Sequence, residues 1–520
     1  MRFNNGGWLA IDGIDKFHPV EIYDVKQVGN VVEICAFFKF IKTKGDLLAG
    51  PIFSYAISSP LPDVIKVELV HYKYAKNLGP KFELHTQDAS QPISLEKSDK
   101  TYIVRSGNMR LEFTDVNGLE MKFFRGNEFL TKTTPNSTSY IVSKEDEFLN
   151  EKLDKRYMME QLYLSVGELV YGLGEHFTPF VKNGQTVDMW NEDGGTCSSQ
   201  GYKNIPFYIT NRNYGVFVNH TEKVSFEVAS ELVSKVQFSV PGERIEYYII
   251  GGVSMRDVLS NYTIMTGKPA LPPNWSFGLW LSSSFTTDYD EKTVMSFVDG
   301  MLDRGIPLQV FHFDCYWMKG FEWCSFEWDP KVFPDPKGMI ERIHAKGLKV
   351  CVWINPYLGE RAPTFKEAAE NGYLLKRKNG SIWQGDLWQP GLGIIDFTNP
   401  AACEWYRSKL RALLDMGVDA FKTDFGERIP TEDVVFFDGS DPKKAHNFYT
   451  HQYNKIVFNE IKKIKGERML LYSLALQLLV VSNSLYIGVV IALAIMSQWQ
   501  RACAVDCRFV CLALASGATI

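Results

Sequence analysis

The sequence is short of several things, and each shortage removes a class of function. Its 520 residues include nine cysteines but no C-x-x-C pair, so no zinc ribbon and no dithiol redox centre is written into it. Six of the nine (Cys35, Cys197, Cys315, Cys324, Cys351, Cys403) are scattered along the chain. That suits reduced thiols in a cytoplasm better than a disulfide framework. The other three, Cys503, Cys507 and Cys511, crowd into the last 18 residues. No G-x-G-x-x-G follows a strand-like run and no G-x-x-x-x-G-K is present, so the common nucleotide cradles are missing. A net charge of −5 gives no reason to expect nucleic acid as a partner. The N-terminus has no basic segment followed by an apolar run, so no secretory signal is visible.

What is present is an ordinary globular balance, 45% hydrophobic and 22% charged, with 14% aromatics that include 12 Trp and 24 Tyr. Such a length suggests two or three domains. Up to about residue 265 short alternating runs such as VVEICAFFKF, KVSFEVAS and KVQFSV are separated by Gly, Pro, Asn and Asp turns, the grammar of a β-sandwich. Two stretches interrupt it, YGLGEHFTPF and the glycine-rich MWNEDGGTCSSQGYKN. From residue 266 the grammar changes. LWLSSSF, LQVFHFDCYW, KVCVWINPYL, GIIDFT and VDAFKTDFGE each lead into an amphipathic helical run, and RMLLYS opens another strand. Strand–helix alternation with nearly unbroken apolar strands predicts a parallel (β/α)8 barrel over residues 266–473.

In such a barrel the chemistry lies at the C-terminal strand ends. Those ends carry Phe285 and Thr286, then His312, Asp314 and Cys315, then Trp353 and Asn355, then Asp396, then Lys422, Asp424, Glu427 and Arg428. Carboxylates and aromatics converge there without a histidine–cysteine cluster. That fits glycoside hydrolysis, where two carboxylates flank the scissile bond, and implies neither metal nor cofactor. Lys422 lies two residues before Asp424 and so shares its side of the strand. A neighbouring cation keeps a carboxylate ionised, as a nucleophile requires. A structural ion pair at a strand end fits the same spacing, and Asp314 and Glu427/Arg428 carry the same ambiguity.

FKTDFGERIP (residues 421–430) resembles the nucleophile motif of glycoside hydrolase family 31, in its α-xylosidase branch. FHFDCYWMKGFEWCSFEWDP, VWINPYLGE, NGQTVDMWNEDGGT and PPNWSFGLWLSSSFTT resemble the same branch, and the resemblance runs nearly without a break over residues 1–473. It implies a β-sandwich ahead of a (β/α)8 barrel, retaining hydrolysis through a covalent glycosyl-enzyme, and a homo-oligomer as one possibility for the full-length family. It makes Asp424 the nucleophile and puts Glu427 in the same catalytic motif. Asp314, Trp353 and Lys422 would line the pocket for the departing sugar. Phe285 and Trp323 would shape the leaving-group side, and the Asp193 loop would reach over from the N-terminal domain. The pair Cys315–Tyr316 stands where the branch carries a cysteine and an aromatic, usually phenylalanine. Bulk there admits xylose and crowds the hydroxymethyl group of glucose. Such a steric sieve is worth about 1–3 kcal/mol, so an α-glucosidase is the alternative within the family.

One part of the family pattern is missing. The acid/base motif H-W-G-G-D-C, on a later strand, does not occur. After Ser473 come 47 residues with three charges, Arg501, Asp506 and Arg508. Leu474–Met496 has the length of a membrane span, which would make the chain a tethered, inactive carbohydrate-binding protein. Gln477, Ser482, Asn483 and Ser484 interrupt that span and no basic cluster flanks it closely. The genetic code offers another reading. YIGVVIA (residues 486–492), taken as TAC ATT GGG GTG GTG ATT GCN and read from its third base, spells H-W-G-G-D-C. AIMSQWQR (residues 494–501) in the same frame permits N-Y-E-S-M-A-E, which follows that motif closely in the family. Two long motifs in one frame and in the right order predict that residues 474–520 are coding sequence read out of frame, with no native fold. The expectation is therefore a mixed fold, an N-terminal β-sandwich and an incomplete (β/α)8 barrel. It would act on α-xylosides or xyloglucan-type oligosaccharides, be inactive as written, and have neither nucleic acid nor membrane as a partner.

Overall fold

The computed structural model describes residues 1–466 apart from 7–8, 87–89, 100, 144–155, 193–198, 202, 269–271, 284 and 286. The N-terminal half is antiparallel β throughout. An eight-stranded sheet runs from Val170–Gly172 through Phe207–Thr210, Tyr214–Val218, Arg244–Gly251, Val64–Val70, Ile52–Ser58 and Val31–Phe37 to Glu21–Val28. A six-stranded sheet containing Arg156–Tyr163, Lys235–Pro241 and Val224–Val228 faces it. A five-stranded meander, residues 94–132, packs on the same core. Strand Val31–Phe37 buries every second residue, because one face of an antiparallel sheet lies on the core and the other meets water. Its Val32 and Ile34 share that core with Phe53, Ile57, Met158, Phe226 and Phe238 from the two sheets. Tyr214–Val218 is buried on both faces, since helix Met255–Thr266 covers its outer side.

Four parallel strands follow, in the spatial order Leu279–Ser282, Leu308–Phe313, Lys349–Ile354, Ala420–Thr423. They are the first part of a barrel wall, and the two middle strands are almost wholly buried, as a parallel sheet covered on both faces requires. Connecting helices begin at side-chain caps written in the sequence. Asp290, Asp335, Asn399 and Asp441 each accept a backbone N–H of the first turn, and proline follows the last three at a position that needs no N–H donor.

The expected strand GIIDFT is not in the barrel wall. Leu392–Ile394 instead pairs antiparallel with Tyr357–Leu358 and Gln384–Gly385 in a small sheet. Strand Ala420–Thr423 takes the place beside Lys349–Ile354 directly. A short buried apolar run reads the same from sequence in either setting. The strand RMLLYS and the tail 474–520 lie outside the described residues. Among those described, no helix is long and apolar enough to cross a membrane.

The two halves meet along helix Pro442–Lys465. His446 stacks on Trp190, ring centres 3.6 Å apart. Asn447 Oδ1 accepts from Asn191 N at 3.0 Å and its Nδ2 donates to Met189 O at 3.0 Å. Phe82 packs on Phe448, and Lys444 reaches Glu222 at 3.6 Å.

Candidate active site

Strand Ala420–Thr423 ends at Asp424, whose own N–H is bonded to Ile354 O across the sheet at 2.9 Å, so the residue is set by the wall. Asp424 Oδ2 accepts the indole N–H of Trp353 at 2.6 Å and lies 3.3 Å from Lys422 Nζ. Asp424 Oδ1 accepts from Phe425 N at 3.1 Å. The same ammonium is 3.4 Å from Asp314 Oδ2, and Asp314 Oδ1 accepts from Cys315 N at 2.8 Å. One cation thus bridges two carboxylates from different strands. Burial opposes the charge on Lys422, and Asp424 and Asp314 more than compensate, holding the ammonium above its ordinary range.

Below this layer His312 accompanies Asp314 on the same face of its strand. It hydrogen-bonds Ser282 Oγ through Nδ1 at 2.7 Å. Burial, and then the charge of Lys422, push it well below the usual histidine range, so it is neutral. Next to Asp424 an aromatic group closes around Phe425. Trp388 lies 4.6 Å from it, Trp323 5.9 Å and Tyr357 6.0 Å, all near parallel, while Trp323 also meets Trp353 at 5.0 Å. Phe425 and Arg428 adopt left-handed backbone (φ 59° and 56°), a strained choice for such residues that the surrounding contacts have to hold.

The structure therefore brings together Asp424, Lys422, Asp314, Trp353 and Trp323, and keeps Cys315 buried beside Asp314. Tyr316 (46% exposed) and Phe285 (67%) are turned to solvent. Glu427 is buried; the hydroxyl of Tyr357 donates to its backbone carbonyl at 2.5 Å. Arg428 donates its backbone N–H to Asn191 O at 3.0 Å, which joins the loop after Asp424 to the root of the Asp193 loop. Asp193 itself, like Thr286, lies outside the described residues. Asp396 is not part of the pocket. Its carboxylate accepts from Thr398 N and Phe437 N, and so fastens two loop turns. Sequence reasoning missed Trp388 and Gln389, whose signal is only a tryptophan and a glutamine between turn residues in GDLWQPG.

A carboxylate held between an ammonium and an indole, at the C-terminal rim of a parallel barrel sheet lined by aromatics, has the makings of a sugar pocket with a nucleophile. Comparison with known proteins shows the family. Residues 269–489 match the glycosyl hydrolases family 31 TIM-barrel domain, and residues 54–227 match the glycosyl hydrolase 31 N-terminal galactose mutarotase-like domain. The chain belongs to glycoside hydrolase family 31. It is 50% identical over 468 residues to the α-xylosidase XylQ of Lactiplantibacillus pentosus, covering 90% of this chain and 60% of that protein. It is 45% identical over 489 residues to an α-xylosidase of Emericella nidulans, covering 90% and 61%. The chain thus spans about three fifths of the length of these relatives. Its fold matches that of a family 31 dextranase of Flavobacterium johnsoniae with a TM-score of 0.73 at 22% identity, covering 86% of this chain and 53% of that one.

Proposed function

We propose that the pocket takes the xylosyl unit of an α-xyloside, with Asp424 as the nucleophile of a retaining α-xylosidase. The observation that carries this reading is the Asp314–Lys422–Asp424 bridge beside Trp353, at the rim where barrel enzymes do their chemistry. Asp424 would attack the anomeric carbon while Lys422 and Trp353 hold its carboxylate oriented. Asp314, fixed by the Cys315 N–H, would accept hydrogen bonds from sugar hydroxyls. The two half-identical α-xylosidases support xylose over glucose, as does the Cys315–Tyr316 pair after Asp314, which the resemblance sets where a hydroxymethyl group would sit. Xyloglucan-type oligosaccharides are the natural substrate class in this reading. Five free cysteines among the described residues (Cys35, Cys315, Cys324, Cys351, Cys403) support a reducing, cytoplasmic setting.

A retaining glycosidase needs a second carboxyl about 5–5.5 Å from the nucleophile. We propose that its codon is present in the gene but out of frame, straddling the codons of Val490 and Ile491, and that the chain as written does not turn over xylosides. This reading puts the frame junction near Ser473–Leu474, inside the span 269–489 that the barrel-domain family matches. The nucleotide sequence across residues 470–492 decides both points: an uninterrupted frame without a slipped, extra or missing base overturns the proposal.

The nucleophile can be tested without the acid. A fluorinated xylosyl fluoride reacts by attack of the Asp424 carboxylate on C1. The C1–F bond breaks, fluoride leaves with the electron pair, and a xylosyl ester remains on the protein. No proton is needed. Mass spectrometry of the peptide holding Asp424 should show the adduct, and Asp424→Ala should abolish it. Failure of both the chain as written and the frame-restored protein to take the label overturns the reading.

A further inference from the structure

Trp323 stands between the nucleophile's indole partner and the aromatic roof, yet it sits on a loop that has no regular secondary structure of its own. That loop is strained: Phe321, Cys324 and Phe326 all have left-handed backbone, with φ of 63°, 57° and 59°. Such a conformation persists only where neighbouring contacts over-determine it. The contacts come from two sides. Gly359 N donates to Trp323 O at 3.0 Å. Gln389, which is 5% exposed, accepts from Trp323 N through Oε1 at 3.0 Å.

The approach of Gln389 is possible only because residue 359 is glycine. A Cβ there would lie 2.0 Å from Gln389 Oε1 and 2.8 Å from Phe321 O, both closer than atoms can sit. Next to Gln389, Trp388 stacks on Phe425. The turn Gly385–Gly391 is therefore tied both to the Trp323 backbone and to the residue after the nucleophile. The indole N–H of Trp323 is buried and has no hydrogen-bond partner among the described residues. A buried donor without a partner costs stability unless something else accepts it.

We propose that Gln389 is a positioning residue for the leaving-group side of the pocket, fixing Trp323 so that its indole edge and N–H meet the sugar that leaves. The proposal rests on the α-xyloside reading and deepens it. It assigns to the Gly385–Gly391 turn the choice between a bare xyloside and one whose leaving group is itself a sugar. Xylose on its own would not sense Gln389; an α-xylosyl glucose disaccharide would.

The test compares two readouts on the full 520-residue chain. The first is the rate of labelling by the fluorinated xylosyl fluoride, whose leaving group is a single atom. The second is the affinity for an α-xylosyl glucose disaccharide, by calorimetry. Gln389→Met keeps the side-chain length and removes the acceptor. It should leave labelling within about twofold and weaken disaccharide binding about tenfold, the effect of one buried donor left unpaired. Gln389→Glu, which keeps an acceptor oxygen, should recover most of the affinity. Gly359→Ala, which drives Gln389 off the Trp323 N–H, should reproduce Gln389→Met, and thermal melts of all three check that they fold. Equal losses in both readouts, no loss in either, or no recovery in Gln389→Glu would overturn the proposal. Failure of both the chain as written and the frame-restored protein to take the label overturns the α-xyloside reading and this proposal with it, whereas a labelled chain with unchanged disaccharide affinity in Gln389→Met sinks only the latter.

Discussion

Replacing Lys422 by methionine removes the one cation that the described pocket sets between two carboxylates and keeps the length of the side chain. The ammonium lies 3.3 Å from Asp424 and 3.4 Å from Asp314. At an effective dielectric of ~20 each contact is about 5 kcal/mol of Coulomb attraction before the cost of desolvation. Most of that is offset by burying the ion, and breaking a buried pair from one side costs about 3–5 kcal/mol net. Asp424 keeps a third of its side chain in water, which screens its share, so the loss expected is about 3 kcal/mol. Urea unfolding of wild type and Lys422→Met measures it. The pH dependence follows from the raised lysine. Its folded value lies above the ordinary 10.5, so its stabilisation is fully present below 10.5 and is lost only as pH rises through the higher, folded value. The gap between the two proteins should stay flat from about pH 6 to about pH 9. A gap under about 1 kcal/mol, the size of a surface pair, or one that closes within that window, would refute a charged lysine at the centre of the pocket.

Four other outcomes follow from the same geometry. Trp353→Phe loses the 2.6 Å hydrogen bond to Asp424; labelling of Asp424 should slow by about tenfold to a hundredfold, matching about 1.5–3 kcal/mol for a hydrogen bond to a charged group, with the melting temperature little changed. Cys315→Ala and Tyr316→Ala should each lower the preference for xylosyl over glucosyl fluoride by about tenfold, and an unchanged ratio would remove these two residues from substrate choice. Gly359→Ala should destabilise the chain by about 1–3 kcal/mol in urea unfolding, because a new methyl group has to displace Gln389 and the Phe321 carbonyl. Glu222 is buried, and its neighbours His220 and Lys444 overcome that burial to hold it at about 2 against an ordinary 4.5. Its contribution is therefore present above pH 4.5 and lost as pH falls through about 2, so Glu222→Gln should flatten the acid limb of the unfolding curve.

Much was legible in the sequence because local chemistry writes it there. Alternating runs gave the antiparallel half, apolar runs leading into amphipathic ones gave the strand–helix half, and a strand running into K-T-D put Lys422 and Asp424 on one side. What local pattern cannot carry is which strand lies beside which. Leu392–Ile394 has the same apolar signature as a barrel strand and was assigned to the wall, yet it pairs in a separate antiparallel sheet. The same gap hid Asp396, whose strand-end position looked catalytic while its carboxylate ties Thr398 to Phe437.

Periodicity and motif are properties of neighbours along the chain, so they carried the two halves and the family, and they put Asp424 at the end of its strand. It took the packed chain to make one lysine serve two carboxylates 108 residues and two residues away from it, and to let Gln389 grip the backbone of Trp323 past a glycine at 359. Those contacts depend on distances between segments remote in sequence, and these are set by the packing of strands and helices against one another.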